Sequence, residues 1–184
     1  FPIAESFPLG EWPVWGNYNL GKVECEEVLL ASGVRFASLR PVYILGPKNY
    51  IPREQFIYSS IKSGIPIMVP GNGQALVQFA FAEEVAEALV IIAEKRIDGA
   101  FNCAGDDIIT LRGLIEKMGE LAGREPIIKY NPDADGDRFN LSEFPFANEN
   151  FIFSNNKLKN IGIGFIPLLD GLRRDYESYY QMAS

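Results

Sequence analysis

The segment Tyr18-Asn19-Leu20-Gly21-Lys22 sets a phenol and an ammonium four residues apart. On a helix that spacing puts both side chains on one face, a turn apart. A free phenol titrates near about 10 and is a poor base at neutral pH, but a neighbouring cation favours its phenolate form. Tyr18 can then exchange a proton with a substrate hydroxyl while Lys22 tunes it. The same ammonium can donate hydrogen bonds to the ribose hydroxyls of a dinucleotide. Tyrosine and lysine at this spacing also occur in many helices that do no chemistry, so the surrounding elements decide what the pair means.

Those elements alternate. Asn19 to Ser32 has helix-forming composition and closes at Gly33, where a left-handed cap is wanted; its apolar residues spread over more than one face, which predicts partners on two sides. Arg35 to Arg40 reads as a parallel core strand before Pro41. Residues 54 to 63 read as a helix, 67 to 69 as a strand, Gly71-Asn72-Gly73 as a turn and 76 to 81 as strand-like. Glu83 to Glu94 shows a helical face of Val85, Leu89 and Ile92, and Ala100 to Cys103 reads as a strand. Thr110 is placed to cap a helix with a stripe of Leu111, Leu114, Ile115, Met118 and Leu121, ending before Gly123 and followed by a strand at 127 to 130. Residues 131 to 152 read as a mobile flap. Ser154 is the expected cap of a short helix through Asn160, and the last helix carries Leu169, Leu172, Tyr176, Tyr179 and Tyr180 as its stripe. The rhythm is that of an α/β protein.

The Tyr-x-x-x-Lys helix leads into a strand ending Leu39-Arg40-Pro41-Val42-Tyr43-Ile44-Leu45-Gly46-Pro47, and Ile65 to Ala88 holds a later strand, a Gly-x-Gly turn and an acidic helix start. In that order these segments resemble the extended short-chain dehydrogenase/reductases, the group of nucleotide-sugar epimerases and dehydratases. The resemblance implies the C-terminal part of a doubly wound, Rossmann-type parallel sheet plus a small α/β substrate-binding lobe. Residues 1–47 and 82–105 would complete the Rossmann core, and 48–81 and 106–184 would form the lobe. It implies that a cofactor-binding half precedes Phe1, together with the family's catalytic Ser or Thr; Pro2-Ile3-Ala4-Glu5 resembles the segment that follows that hydroxyl, and Ser6 reads as a loop residue. It further implies NAD or NADP in the full-length protein, held by Tyr18, Lys22, Pro41, Val42 and Tyr43. A sugar or nucleotide-sugar substrate would lie beside Gly71, Gly73 and Val77, with transient oxidation of its hydroxyl before epimerisation or elimination. Two copies would pair through the tyrosine-bearing helix.

Two positions depart from the family pattern. Val77 stands where an arginine usually clamps a diphosphate, and Phe144-Pro145-Phe146-Ala147 stands where a second arginine is expected. Lys48, Arg53 and Arg138 are the candidate substitutes, each otherwise a solvated surface charge. The stretch FPFANENFIFSNNKLKNIGIGFIPLLDGLRRDYESYY is similar to a narrower branch, the chloroplast stem-loop RNA-binding proteins and their bacterial relatives. That similarity keeps a non-catalytic or RNA-binding role as the alternative.

Composition narrows the field further. Seventeen Lys and Arg against 24 Asp and Glu give a net charge of -7, which repels polyanions unless positive charge is concentrated locally, so RNA is not the favoured partner. The absence of histidine removes His-based triads and His-ligated metal sites. Cys25 and Cys103 lie in apolar runs and read as reduced buried thiols, which suits the cytoplasm. There is neither an apolar run of about 18 residues nor a leader-like start, so no membrane association is expected.

Overall fold

The computed structural model describes residues 2–10, 16–134 and 143–181. Strand β1 (Ala37–Pro41) runs parallel to β6 (Gly99–Cys103), with Leu39 opposite Phe101 and Pro41 opposite Cys103. Strand β2 (Tyr43–Leu45) is parallel to β5 (Phe79–Phe81), and β3 (Ile67–Pro70) to β8 (Ile128–Asn131). Among the described residues only the two-residue strands β4 (Leu76–Val77) and β7 (Ile109–Thr110) pair antiparallel. Parallel partners cannot be joined by a tight turn and need a long crossover, and the intervening chain carries helices α2 (Arg53–Ser63), α3 (Ala82–Lys95) and α4 (Leu111–Ala122).

Local chemistry sets the helix ends. The Thr110 hydroxyl accepts from the Gly113 amide at 2.9 Å and starts α4, which stops at Gly123 with φ 65°. The α4 stripe of Leu111, Leu114, Ile115 and Met118 is buried as its period requires. It joins Tyr43, Leu45, Ile57, Tyr58, Val69, Val77, Phe79 and others in the larger core, whereas Val42, Ala80, Ala88, Ile92, Phe101, Cys103, Leu158 and Ile163 form a second one. Phe151 packs against both.

Several expectations are corrected. On α3 the buried line is Glu84, Ala88 and Ile92, spaced four apart, while Leu89 is 53% exposed; the helix turns its small residue, not its leucine, toward the sheet. The last helix, α6 (Leu168–Asp175), continues as a π turn through Tyr180 and buries Leu168, Leu172 and Tyr176, leaving Leu169 and Tyr179 outside. Residues 144–147 of the expected flap are core instead, because Phe144, Phe146 and Ala147 are buried and the two rings meet edge-on at 5.9 Å. Residues 135–142, including Arg138 and the Asn140-Leu141-Ser142 sequon, lie outside the described residues. Asn155, not Ser154, occupies the cap position of α5 (Asn156–Asn160). Helix α1 (Gly16–Ser32) buries no residue, so Cys25 is exposed and only Cys103 is a buried thiol. Among the described residues no helix is long and apolar enough to cross a membrane.

Candidate functional site

Tyr18 and Lys22 share a face of α1, with the lysine Nζ 5.4 Å from the centroid of the phenol ring. Both side chains are exposed, and neither has a hydrogen-bond or ion-pair partner among the described residues. The next residue on that stripe is Glu26, which faces β1. Its carboxylate takes the guanidinium of Arg40 on both oxygens, with Nε to Oε1 at 2.8 Å, and accepts from the Ser38 hydroxyl at 2.6 Å. The Arg40 hydrogen bonds hold the Glu26 carboxyl below its ordinary range.

This pairing aims the helix. Only residues 33 to 36 separate α1 from β1, and Glu26 lies beside Ser38 and Arg40, so helix and strand run in opposite senses. At a rise of 1.5 Å per residue, Lys22 and Tyr18 stand about 6 and about 12 Å further along the axis, past the Pro41 end of β1. Open parallel sheets take ligands beyond the carboxyl ends of their strands. Pro41 is exposed at that end. Val42 and Tyr43 follow with buried side chains, Val42 donating to Cys103 O at 3.1 Å and the Tyr43 hydroxyl accepting from the Ala147 amide at 3.2 Å. Burial pushes the Tyr43 phenol up to about 12.

Arg53, the first residue of α2, is not a solvated surface charge: it is 8% exposed. Its guanidinium lies over the rings of Tyr43 at 5.3 Å and Phe146 at 5.9 Å, and Nε donates to Pro145 O at 3.3 Å. Lys48 is exposed, with φ 65°.

The Gly-x-Gly turn is built by the lobe around it. Gly71 and Gly73 have φ 60° and 72°; a Cβ on Gly71 would collide with the Asn148 amide, and one on Gly73 would crowd Tyr130, Arg112 and Val69. The structure thus packs the turn against Asn148, Tyr130 and Arg112 rather than against the Tyr18–Lys22 pair. Val77 is fully buried, opposite Ile109, so its side chain fills the core and offers no surface to a ligand.

Sequence reasoning missed Glu26 and Arg40, and named Arg53 only as a candidate substitute that would otherwise be a solvated surface charge. Glu26 falls four after Lys22, and an acid completing a Tyr-Lys-Glu stripe was the available signal. Arg40 gave none, since a strand arginine reads equally well as a surface charge. Arg53 follows Pro52 at a helix start, where the macrodipole disfavours a cation, and that mismatch was legible. Among the described residues no three His, Cys, Asp or Glu side chains group to hold a metal ion.

Comparison with known proteins gives the fold and the family. The chain is 36% identical over 163 residues to the chloroplast stem-loop binding protein of 41 kDa b of Arabidopsis thaliana, covering 85% of the chain and 43% of that protein. The UDP-glucose 4-epimerase of Thermotoga maritima, solved with UDP-glucose, superposes with a TM-score of 0.79 at 18% identity over all of the chain and 59% of its own. The dTDP-glucose 4,6-dehydratase of Bacillus anthracis, solved with NAD, gives 0.78 at 17% identity over 99% of the chain and 58% of its own. The chain therefore spans less than two thirds of the relatives it matches. The mixed α/β architecture with parallel strand pairs is that of the Rossmann-fold epimerases and dehydratases. Residues 2–104, more than half of the chain, match the model of one family, and the chain belongs to the NAD dependent epimerase/dehydratase family.

Proposed function

We propose that the full-length protein binds NAD or NADP and acts on a hydroxyl of a sugar or nucleotide-sugar, oxidising it transiently before epimerisation or elimination. The observation that carries this reading is the Lys22 ammonium 5.4 Å from the Tyr18 ring, both without a hydrogen-bond or ion-pair partner among the described residues, beyond the carboxyl end of β1. An exposed ammonium fits a ribose diol, and an exposed phenol fits a substrate hydroxyl. When bound, the nicotinamide supplies a hydride acceptor and donor. Tyr18 takes the hydroxyl proton and returns it, and Lys22 favours the phenolate and holds the ribose. Pro41, Val42 and Tyr43 form the wall beside the nicotinamide, with Val42 and Tyr43 contributing through the backbone since their side chains are buried. The lobe of 48–81 and 106–184, including the Gly71 and Gly73 turn and the core around Val77, shapes the substrate pocket against a Rossmann part of 1–47 and 82–105. The neighbours solved with NAD and with UDP-sugars support the ligand classes.

The test is hydride exchange in the full-length protein. Tyr18→Phe is expected to lower the exchange rate at least about 100-fold, the scale of a lost general acid/base, while leaving cofactor affinity within a few-fold. Cofactor binding with exchange indifferent to Tyr18 contradicts the reading. The similarity to the chloroplast stem-loop binding protein supports an alternative, RNA binding without redox chemistry. RNA retention that weakens steeply with salt, in a protein that binds no dinucleotide, is the result that favours it.

A further inference from the structure

Side chains three or four positions apart share a face of a helix, and around Lys22 those positions hold Tyr18, Asn19, Cys25 and Glu26. Glu26 alone among them can pair with an ammonium as a carboxylate, and it carries its charge, since its carboxyl is held below the ordinary range. Lysine and glutamate at this spacing attract each other on an exposed helix. The Lys22 ammonium nevertheless lies toward the phenol, 5.4 Å from the centroid of the Tyr18 ring, and Glu26 forms its ion pair with Arg40.

The reason lies on β1. Arg40 takes both oxygens of Glu26, Nε reaching Oε1 at 2.8 Å and Nη2 reaching Oε2, and the Ser38 hydroxyl donates to Oε1 at 2.6 Å. The remaining nitrogen, Nη1, donates to Glu5 O at 3.4 Å, while the Glu5 carboxylate accepts from the Asn102 amide at 2.9 Å. Every nitrogen of the guanidinium is thus engaged, and the Arg40 and Glu26 side chains are only 23% and 15% exposed. A forked, charge-assisted pair sheltered from water outweighs a single-point pair between exposed side chains of one helix. Lysine on the N-terminal side of the glutamate is also the poorer orientation for such a pair. The competition for Glu26 therefore goes to the strand.

We infer that Arg40 is a positioning residue: by occupying both oxygens of Glu26 it withholds that carboxylate from Lys22 and leaves the ammonium free for the Tyr18 phenol and for a ligand. The consequence for cofactor binding rests on the function proposed above, whereas the contest of Arg40 and Lys22 for Glu26 does not.

Lysine acetylation of the full-length protein by a water-soluble succinimidyl acetate, without dinucleotide, tests this when the rate at Lys22 is read by peptide mass spectrometry relative to Lys48. Arg40→Met releases Glu26 to Lys22 and should slow acetylation there about two-fold, the scale of a helix ion pair at this spacing. Adding Glu26→Gln to Arg40→Met removes the competing charge and should restore the wild-type rate. Salt at about 1 M should restore it as well, because it screens an exposed pair. An Arg40 that only braces the helix predicts the opposite sign: loosening α1 uncovers Lys22 and speeds its labelling, and the double variant is loosened as much. Labelling that Arg40→Met speeds or leaves unchanged overturns the inference, as does a slowing that Glu26→Gln fails to reverse. If Arg40→Met does not fold, Glu26→Gln alone decides. An unchanged rate at Lys22 supports the inference, and a faster one shows that Glu26 already holds the lysine and overturns it. Repeating the labelling of wild type with NAD and with NADP separates the two claims: a Lys22 that neither dinucleotide protects contradicts the proposed function and leaves this inference standing.

Discussion

Glu54, Tyr58 and Asp175 each seal a polar atom that no described group satisfies, and Tyr58 stacks against Tyr176 and Tyr180 at 4.8 and 5.2 Å. Burial pushes the Glu54 carboxyl up from 4.5 to about 7, and burial likewise raises Asp175. A carboxyl raised on folding contributes stability that is whole below its unfolded pKa and is lost as pH climbs through the folded one. Raising the pH from about 4.5 to above about 7 should therefore cost the fold on the order of 3 kcal/mol through Glu54. Urea unfolding across this range, compared with Glu54→Gln, measures it. The glutamine still accepts from Gly46 and no longer titrates, so its pH curve should be flatter; parallel curves would show that Glu54 ionises as freely in the native state as in the unfolded one.

At the scale of elements, the Glu26–Arg40 pairing ties α1 to β1 with side chains 15% and 23% exposed. Arg40→Met leaves a half-buried carboxylate without its cation, with only the Ser38 hydroxyl still donating to it, and should destabilise by about 1–3 kcal/mol, read from denaturant midpoints. Because the Glu26 carboxyl is held low, this contribution is present above the ordinary carboxylate pKa and disappears as pH falls through the depressed value. Acidification should therefore bring wild type and Arg40→Met together. At the β3–β4 turn, Gly71→Ala combines a left-handed backbone with a collision against Asn148 and should cost about 1–2 kcal/mol or more. A smaller loss would mean that Asn148 yields at no cost.

At the scale of the molecule, order is distributed unevenly. Helices α2 and α4 are each buried along a full stripe, whereas α1 buries no residue and leaves Val28 and Leu30 more than 60% exposed. Local opening energies follow buried contacts. In native-state hydrogen exchange of this chain, amides of Gly16–Ser32 should exchange at least about ten-fold faster than those of Leu111–Ala122. Equal protection would show that the Glu26–Arg40 tie and its neighbours stabilise α1 as fully as a core.

How much of this was legible in the residues depends on the range of the interaction. Periodicity and caps are local, so the α4 stripe, the Thr110 and Gly123 ends, the strand before Pro41 and the shared face of Tyr18 and Lys22 could all be read from neighbours a turn or two away. Which apolar stripe a helix buries depends on what it meets, and so Ala88 was preferred to Leu89, Leu168 to Leu169, and Phe144 and Phe146 became core where a flap was expected. The same holds for charge. Sequence alone determined that a phenol and an ammonium could work together, but only the tertiary structure set Glu26 against Arg40 and stacked Arg53 on Tyr43 and Phe146, because the free energy of a charge is decided by the groups that replace its water, and those lie far off along the chain.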